Sequence, residues 1–288
     1  MSGPGGALPG AQELAQLRAV AVEAATAAAE LVRTGRPDRV EVAATKSSPT
    51  DVVTAMDHAS ERLLREVLGR LRPHDGVLGE EGGHRPGTSG LTWVVDPVDG
   101  TVNYLYGLRA YAVSVACVLD PERGTARPDP AGWTVLAGCV HDPTAGEVWS
   151  AALGQGASLR DGGGVGGRER VLRVPEAVDL GQALVATGFG YDAARRAEQA
   201  AVLAHLLPRV RDVRRIGSAA LDLCWVGAGR LDAYYERGLK PWDMAAGALV
   251  AGEAGALVTG FDGGPAGPEG VLAAAGGLHA ALRAEVAG

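Results

Sequence analysis

Lysine is almost missing from this chain. Lys46 and Lys240 are the only two, and arginine carries the rest of the positive charge over 288 residues. Bases are also the minority: 27 Lys and Arg stand against 34 Asp and Glu, a formal net charge of -7. That balance excludes a general nucleic-acid binder, whose footprint is a broad basic surface, and leaves only a local basic patch open. Cysteine is scarce. Cys117, Cys139 and Cys224 each sit among apolar neighbours and none forms a CxxC pair, so paired-cysteine zinc sites and a disulfide framework are excluded. The three read as small core residues of a protein in a reducing cytosol. No apolar run is long enough for a membrane span, because Glu13, Arg18, Glu23 and Glu30 interrupt the Ala-rich segment that starts at Ala11. Residues 1–10 are rich in Gly and Pro and lack the basic start of a signal peptide, so a disordered tail on a cytoplasmic protein is expected. There is no GxSxG elbow, no P-loop and no HExxH, and the six histidines are scattered.

What is present is patterned. A hydrophobic fraction of 47% with 21% charged residues predicts a globular chain with a sizeable core. Leu14, Leu17, Ala21, Ala24, Ala28 and Leu31 recur at helical spacing over 11–33, and Gly35 and Pro37 end that helix. A loop from Ala44 to Asp51 leads into a second helix over 54–71, with Met56, Ala59, Leu63, Val67 and Leu71 expected to face inward. Short strands follow at 77–79, 91–96, 111–119, 133–140 and 147–151, predicting a mostly antiparallel sheet. Residues 160–168 form a Gly-rich loop, and the Gly162-x-Gly164-x-x-Gly167 pattern within it reads as a turn. After that, strands and helices alternate: strands at 183–187, 213–216, 231–235, 256–259 and 271–274, helices at 192–207, 218–226 and 242–253, and a short terminal helix. The expected organisation is an N-terminal α+β lobe over 11–152 and a C-terminal α/β lobe over 153–288, forming one catalytic unit.

The densest chemistry lies at Asp96-Pro97-Val98-Asp99-Gly100-Thr101, where the apolar strand Leu91-Thr92-Trp93-Val94-Val95 ends. Two close carboxylates without a cationic partner repel each other unless a cation lies between them, and hard divalent cations take oxygen ligands. The segment is therefore a candidate Mg²⁺ site at a strand end. Glu80-Glu81 follows a short apolar strand. Taken alone it reads as a solvated acidic loop, but pairing of that strand with 91–96 would bring Glu80 beside Asp96. Asp243 opens an apolar helix, where it is either a favourable charge at a helix N-terminus or a third carboxylate of the site. Thr54-x-x-Asp57 has the form of a capping box, and Asp57 could also orient Thr101 and an attacking water. The two lysines flank these candidate segments, either as solvated charges or as part of the site.

Gly79-Glu80-Glu81, Trp93-Val94-Val95-Asp96-Pro97-Val98-Asp99-Gly100-Thr101-Val102-Asn103-Tyr104 and Trp242-Asp243-Met244-Ala245-Ala246-Gly247 together resemble the signatures of the inositol monophosphatase family, Mg²⁺-dependent and lithium-sensitive sugar-phosphate phosphatases. The resemblance runs from about Lys46 to Ala275. Lys46 to Asp57, Arg215 to Ala220 and Asp232 to Glu236 bring it nearest the bacterial inositol-1-monophosphatase branch. It implies a layered αβαβα sandwich of two lobes with the metal site between them, two or three Mg²⁺ ions, a small phosphate-ester substrate and a homodimer. Glu80, Asp96 and the Val98 carbonyl would hold one ion, and Asp96, Asp99 and Asp243 a second. A third ion would lie near Glu80. Thr101 and Asp57, with Glu80, would polarise the attacking water. Lys46, Gly100, Thr101, Gly217, Ser218, Ala219, Glu236 and Asp243 would contact substrate, Glu236 through its hydroxyls. The alternatives are the same chemistry on fructose-1,6-bisphosphate, histidinol phosphate or a nucleotide bisphosphate. A regulatory binding protein that keeps the fold is a rival of another class.

Overall fold

A computed structural model describes residues 8–120, 129–130, 132–162, 167–176 and 178–287. Most of the expected tail, and the centre of the Gly-rich 160–168 loop, lie outside these described residues. Helix α1 (Ala11–Thr34) precedes a short hairpin of β1 (Val42–Thr45) and β2 (Val52–Thr54), then α2 (Ala55–Leu71). An eight-stranded sheet follows, built from β3 (Gly76–Gly79), β4 (Gly83–Arg85), β5 (Leu91–Asp99), β6 (Ala112–Leu119), β7 (Thr134–Asp142), β8 (Glu147–Ala152), β9 (Ala157–Arg160) and β10 (Glu169–Val171). Helix α3 (Thr101–Tyr106) interrupts it after β5. The remainder forms β11 (Leu184–Thr187), α4 (Ala193–Leu206), β12 (Asp212–Arg214), α5 (Ala219–Gly227), β13 (Ala233–Glu236), α6 (Pro241–Glu253), β14 (Leu257–Thr259), β15 (Val271–Ala274) and α7 (Gly276–Val286). Its five strands pair in the order β12-β11-β13-β15-β14, parallel on the β11 side and antiparallel at β15.

Four hydrophobic clusters account for the layering. One joins α1 and α2 to one face of the large sheet, through Leu17, Leu64, Trp93, Val115 and Cys117. The opposite face packs on α5 and α6 through Val94, Ala116, Val140, Leu221 and Ala246. The other sides of α5 and α6 cover the small sheet at Ala186, Tyr234 and Ala273, and α7 closes that sheet's far face at Val185, Leu272 and Leu282. The order is thus α-β-α-β-α. Both faces of each sheet are covered, which is why strands such as β5 and β6 read as continuous apolar runs rather than alternating ones. All three cysteines are free and buried in these interfaces. Among the described residues no helix is long and apolar enough to cross a membrane.

Two expectations shift. The large sheet continues past residue 152, because Gly154 and Gly156 turn the chain back into β9 and β10, which extend the same ladder to Val171. The large sheet therefore runs across residues 152/153 and ends at Val171. On α2 the buried face is Asp57, Ser60, Glu61, Leu64, Val67 and Leu68, rotated from the apolar stripe read in the sequence. Met56, Leu63 and Leu71 are only partly buried. The inward polar groups are satisfied by the site: Ser60 donates to the Pro97 carbonyl at 3.0 Å, and Glu61 accepts the Glu81 and Gly82 amides at 2.7 and 2.8 Å.

The middle layer sits close to the large sheet. A Cβ on Gly138 of β7 would lie 3.0 Å from Ala246 Cα and 3.2 Å from its Cβ on α6. Gly138→Val is expected to push α6 off the sheet at a cost of about 1–3 kcal/mol. Calorimetry should show a melting temperature several degrees lower; an unchanged melt would mean that this contact does not set the spacing.

Candidate metal and phosphate site

The site depends on a defect in β5. Strict alternation would send Asp96 and Asp99 to opposite faces of the sheet. The register against β6 runs Asp96 to Ser114 and then Asp99 to Ala112, three steps on one strand against two on the other. Pro97 stands in the extra step, where it has no N–H to give to a ladder. The bulge turns both carboxylates into one cavity of about 450 Å³. Gly100 follows at φ 97°, a left-handed conformation, and a side chain there would lie 3.0 Å from the Ala110 carbonyl and 3.1 Å from that of Gly217. Thr101 then starts α3. The parallel pairing of β3 with β5, ending at Gly79 opposite Val95, brings Glu80 beside Asp96. Asp243 arrives from the other side of the cavity, in the first turn of α6, where the helix terminus favours negative charge.

Of the site residues read from the sequence, Lys46, Glu80, Asp96, Val98, Asp99, Gly100, Thr101, Gly217, Ser218, Ala219, Glu236 and Asp243 all line this cavity. Asp57 lies behind the wall, fully buried, and accepts the Thr101 hydroxyl at 3.0 Å. The same carboxylate accepts the Thr54 amide at 2.8 Å, so the capping bond and the bond to Thr101 coexist. Glu80, Asp96, Asp99 and Asp243 are each held by a donor. Glu80 pairs with Lys46 Nζ at 2.6 Å, Asp96 accepts the Val98 amide at 3.0 Å, and Asp99 accepts Ser218 Oγ at 2.6 Å and the Ala220 amide at 2.7 Å. Asp243 accepts the Lys240 amide at 2.7 Å. Lys46 also bonds Glu81 at 2.5 Å, so it is not a merely solvated charge; Lys240 lines the cavity but is exposed.

Burial pushes these carboxyls up. Asp96 is raised well above the usual carboxylate range, by desolvation first and then by the charges of Glu80, Asp99 and Asp243. Asp243 is raised for the same reasons, with Glu80 and Asp99 as its charged neighbours. Desolvation takes Glu80 to about 7 against the pull of Lys46, and Asp99 to about 6 against its Ser218 and Ala220 bonds. Glu236 rises to about 7 by burial, although it accepts the Tyr234 hydroxyl at 2.6 Å. Among the described residues no three acid, His or Cys side chains are drawn into a ready-made coordination shell. The donor set is nonetheless all hard oxygen, acidic and facing one cavity, which fits a divalent cation such as Mg²⁺ and no soft metal.

Sequence reasoning missed several lining groups. Phe189, Tyr191 and Arg195 reach the cavity from the loop after β11 and the start of α4, and Arg215 and Asp222 from either side of Ser218. No motif marks the first three. Glu61, which pins the Glu81-Gly82 turn, carried one local signal, its i, i+4 pairing with Arg65 at 2.8 Å.

A carboxyl whose folded pKa is raised is destabilising once ionised, and that cost disappears as pH falls through the folded value. Asp96→Asn removes one charge from the cluster. In chelator, the variant is expected to be more stable than the parent by on the order of 1–2 kcal/mol at pH 8, with the difference shrinking toward pH 5. Thermal melts at the two pH values check this; a variant less stable at pH 8 would contradict the repulsion.

The chain matches the model of the inositol monophosphatase family over residues 13–287. It is 50% identical over 285 residues to the inositol-1-monophosphatase of Mycobacterium leprae (strain TN), spanning 93% of this chain and 92% of that protein. The structure of Mycobacterium tuberculosis SuhB superposes with a TM-score of 0.74 at 47% identity, covering 94% of this chain and 95% of the other. A protein named Nus factor SuhB, from Pasteurella multocida (strain Pm70), is 38% identical over 247 residues, 85% of each chain.

Proposed function

The chain belongs to the inositol monophosphatase family of phosphatases, and on that premise we propose that it hydrolyses myo-inositol monophosphates, inositol-1-phosphate foremost, to inositol and phosphate with Mg²⁺. The observation that carries this is the convergence of Glu80, Asp96, Asp99 and Asp243 on one cavity that also holds Glu236. Glu80, Asp96 and the Val98 carbonyl would hold one ion, Asp96, Asp99 and Asp243 a second, and a third would lie near Glu80. Bound there, Mg²⁺ supplies positive charge that neutralises the ester and makes water a better nucleophile.

The chain's own groups do the rest. The Thr101 oxygen would accept a hydrogen bond from the attacking water while its own proton is offered to Asp57 at 3.0 Å and the Val98 carbonyl at 3.1 Å. Glu80 faces the same space and serves as a further acceptor. The Gly100 and Thr101 amides stand at the start of α3, where N–H groups suit a phosphate oxygen. Attack is in line: the water oxygen bonds phosphorus, the bond to the inositol oxygen breaks, and that oxygen leaves with a proton from solvent. Gly217, Ser218 and Ala219 line the ring's path, and Lys46 holds Glu80 and Glu81 at the mouth. Glu236 accepts hydrogen bonds from ring hydroxyls, and its charge disfavours a second phosphate there. That favours a polyol monophosphate over fructose-1,6-bisphosphate or a nucleotide bisphosphate; histidinol phosphate, a monophosphate whose amine a carboxylate would attract, stays an alternative for the substrate test. The homodimer, lithium sensitivity and cytoplasmic location implied by the resemblance go with this reading. The Pasteurella relative's name points to a regulatory binding role; the full carboxylate set favours catalysis.

Phosphate release should be Mg²⁺-dependent, abolished by EDTA and strongest on inositol-1-phosphate. Asp96→Asn should lower turnover by about 10³-fold or more in a folded protein. Stronger turnover on another of these esters would overturn the substrate, near-normal turnover of Asp96→Asn would overturn the metal assignment, and no turnover on any ester would favour the regulatory reading.

A further inference from the structure

Glu236 stands at the end of β13 in a wall that separates two cavities. On one side is the carboxylate-lined site. On the other is a cavity of about 370 Å³ lined by Thr187, Gln199, Val202, Tyr235, Glu236 and Phe261, among others. The Glu236 carboxylate lies directly over Gly188, where even a Cβ would collide with it. Glu236 is thus positioned by the strand it ends and by the Gly188-Phe189-Gly190 loop, with open space rather than packed core at its back.

Helix α4 spans that gap, yet it buries only Leu206. From its middle, Gln199 reaches three backbone groups. Its carbonyl oxygen accepts the Gly190 amide at 2.9 Å, and its amide nitrogen donates to the Arg237 carbonyl at 3.2 Å and to the Gly188 carbonyl at 3.4 Å. Arg237 follows Glu236 in the chain, and Gly188 is the surface on which the Glu236 carboxylate rests. One side chain therefore ties together the two segments that fix the Glu236 carboxylate. A side-chain amide suits this task because it donates and accepts at once. We infer that Gln199 is a positioning residue for polyol recognition: it sets where Glu236 meets the substrate hydroxyls and takes no part in phosphate chemistry. The inference rests on the assignment of Glu236 to those hydroxyls.

The test uses the full-length protein with Mg²⁺ and two substrates, inositol-1-phosphate and p-nitrophenyl phosphate, which has no ring hydroxyls. The variants are Gln199→Ala, Gln199→Met, which keeps the volume without the three bonds, and Glu236→Gln, with the Gln199→Met/Glu236→Gln double. Losing bonds to backbone groups of this kind corresponds to roughly tenfold in an equilibrium. Both Gln199 variants are expected to raise KM for inositol-1-phosphate by about tenfold with little change in kcat, and to lower the ratio of inositol to aryl efficiencies by the same factor. The double variant should show no further fall in that ratio beyond Glu236→Gln alone. If Glu236→Gln lowers the ratio but a folded Gln199→Met does not, or loses both substrates equally, the role of Gln199 is overturned while that of Glu236 stands. If Glu236→Gln leaves the ratio unchanged, the assignment of Glu236 fails and that of Gln199 falls with it.

Discussion

Repulsion among buried carboxylates is the constraint around which this molecule is organised. Glu80, Asp96, Asp99 and Asp243 come from three separate parts of the chain, and the charges of the other three all raise the proton affinity of Asp96. Ionised acids do not gather in a desolvated cavity unless the surrounding fold holds them there. Here the holding is covalent and local at one end, through the Pro97 bulge, and architectural at the other. Asp99 is bonded to Ser218 and Ala220, so the large-sheet side of the cavity is latched to the start of α5. Asn103 adds a second latch, donating to the Ala110 and Ile216 carbonyls at 2.6 and 2.9 Å. The folding energy of four apolar interfaces offsets the electrostatic cost, and a divalent cation would relieve it.

The same logic explains the polar side of α2. A helix that only packed against a sheet would present an apolar stripe inward. This one turns Asp57, Ser60 and Glu61 inward, where they fix Thr101, the Pro97 carbonyl and the Glu81-Gly82 turn in that order. Each of those partners belongs to a segment that carries a cavity acid or its neighbour. Buried polar groups of this kind are tolerated because every one has a partner, and they make the helix part of the site's framework as well as of the core.

Much of this was legible in the sequence. Helix and strand order came through because apolar periodicity is strong in α1, β5, β6 and α6. Glu80, Asp96 and Asp99 stood out because each sits close to a strand end next to Gly or Pro, and Asp243 because it opens an apolar helix. What periodicity could not show was which face of α2 is buried, since a stripe count ignores acids that find partners across 20 to 44 residues, as Glu61 and Asp57 do. Nor could it place β9 and β10, which are short and flanked by glycines. The loop after β11 and Gln199 were invisible for another reason. Their roles rest on main-chain hydrogen bonds, which leave no side-chain pattern to read.

Divalent-cation binding in this cavity can be tested directly. The most direct measurement is anomalous scattering from crystals grown with Mn²⁺ in place of Mg²⁺. Peaks are expected within ligand distance of Asp96, shared with Glu80 on one side and with Asp99 and Asp243 on the other, and are expected to vanish in Asp96→Asn. Crystals saturated with Mn²⁺ that show no peak among these four carboxylates would contradict cation binding here.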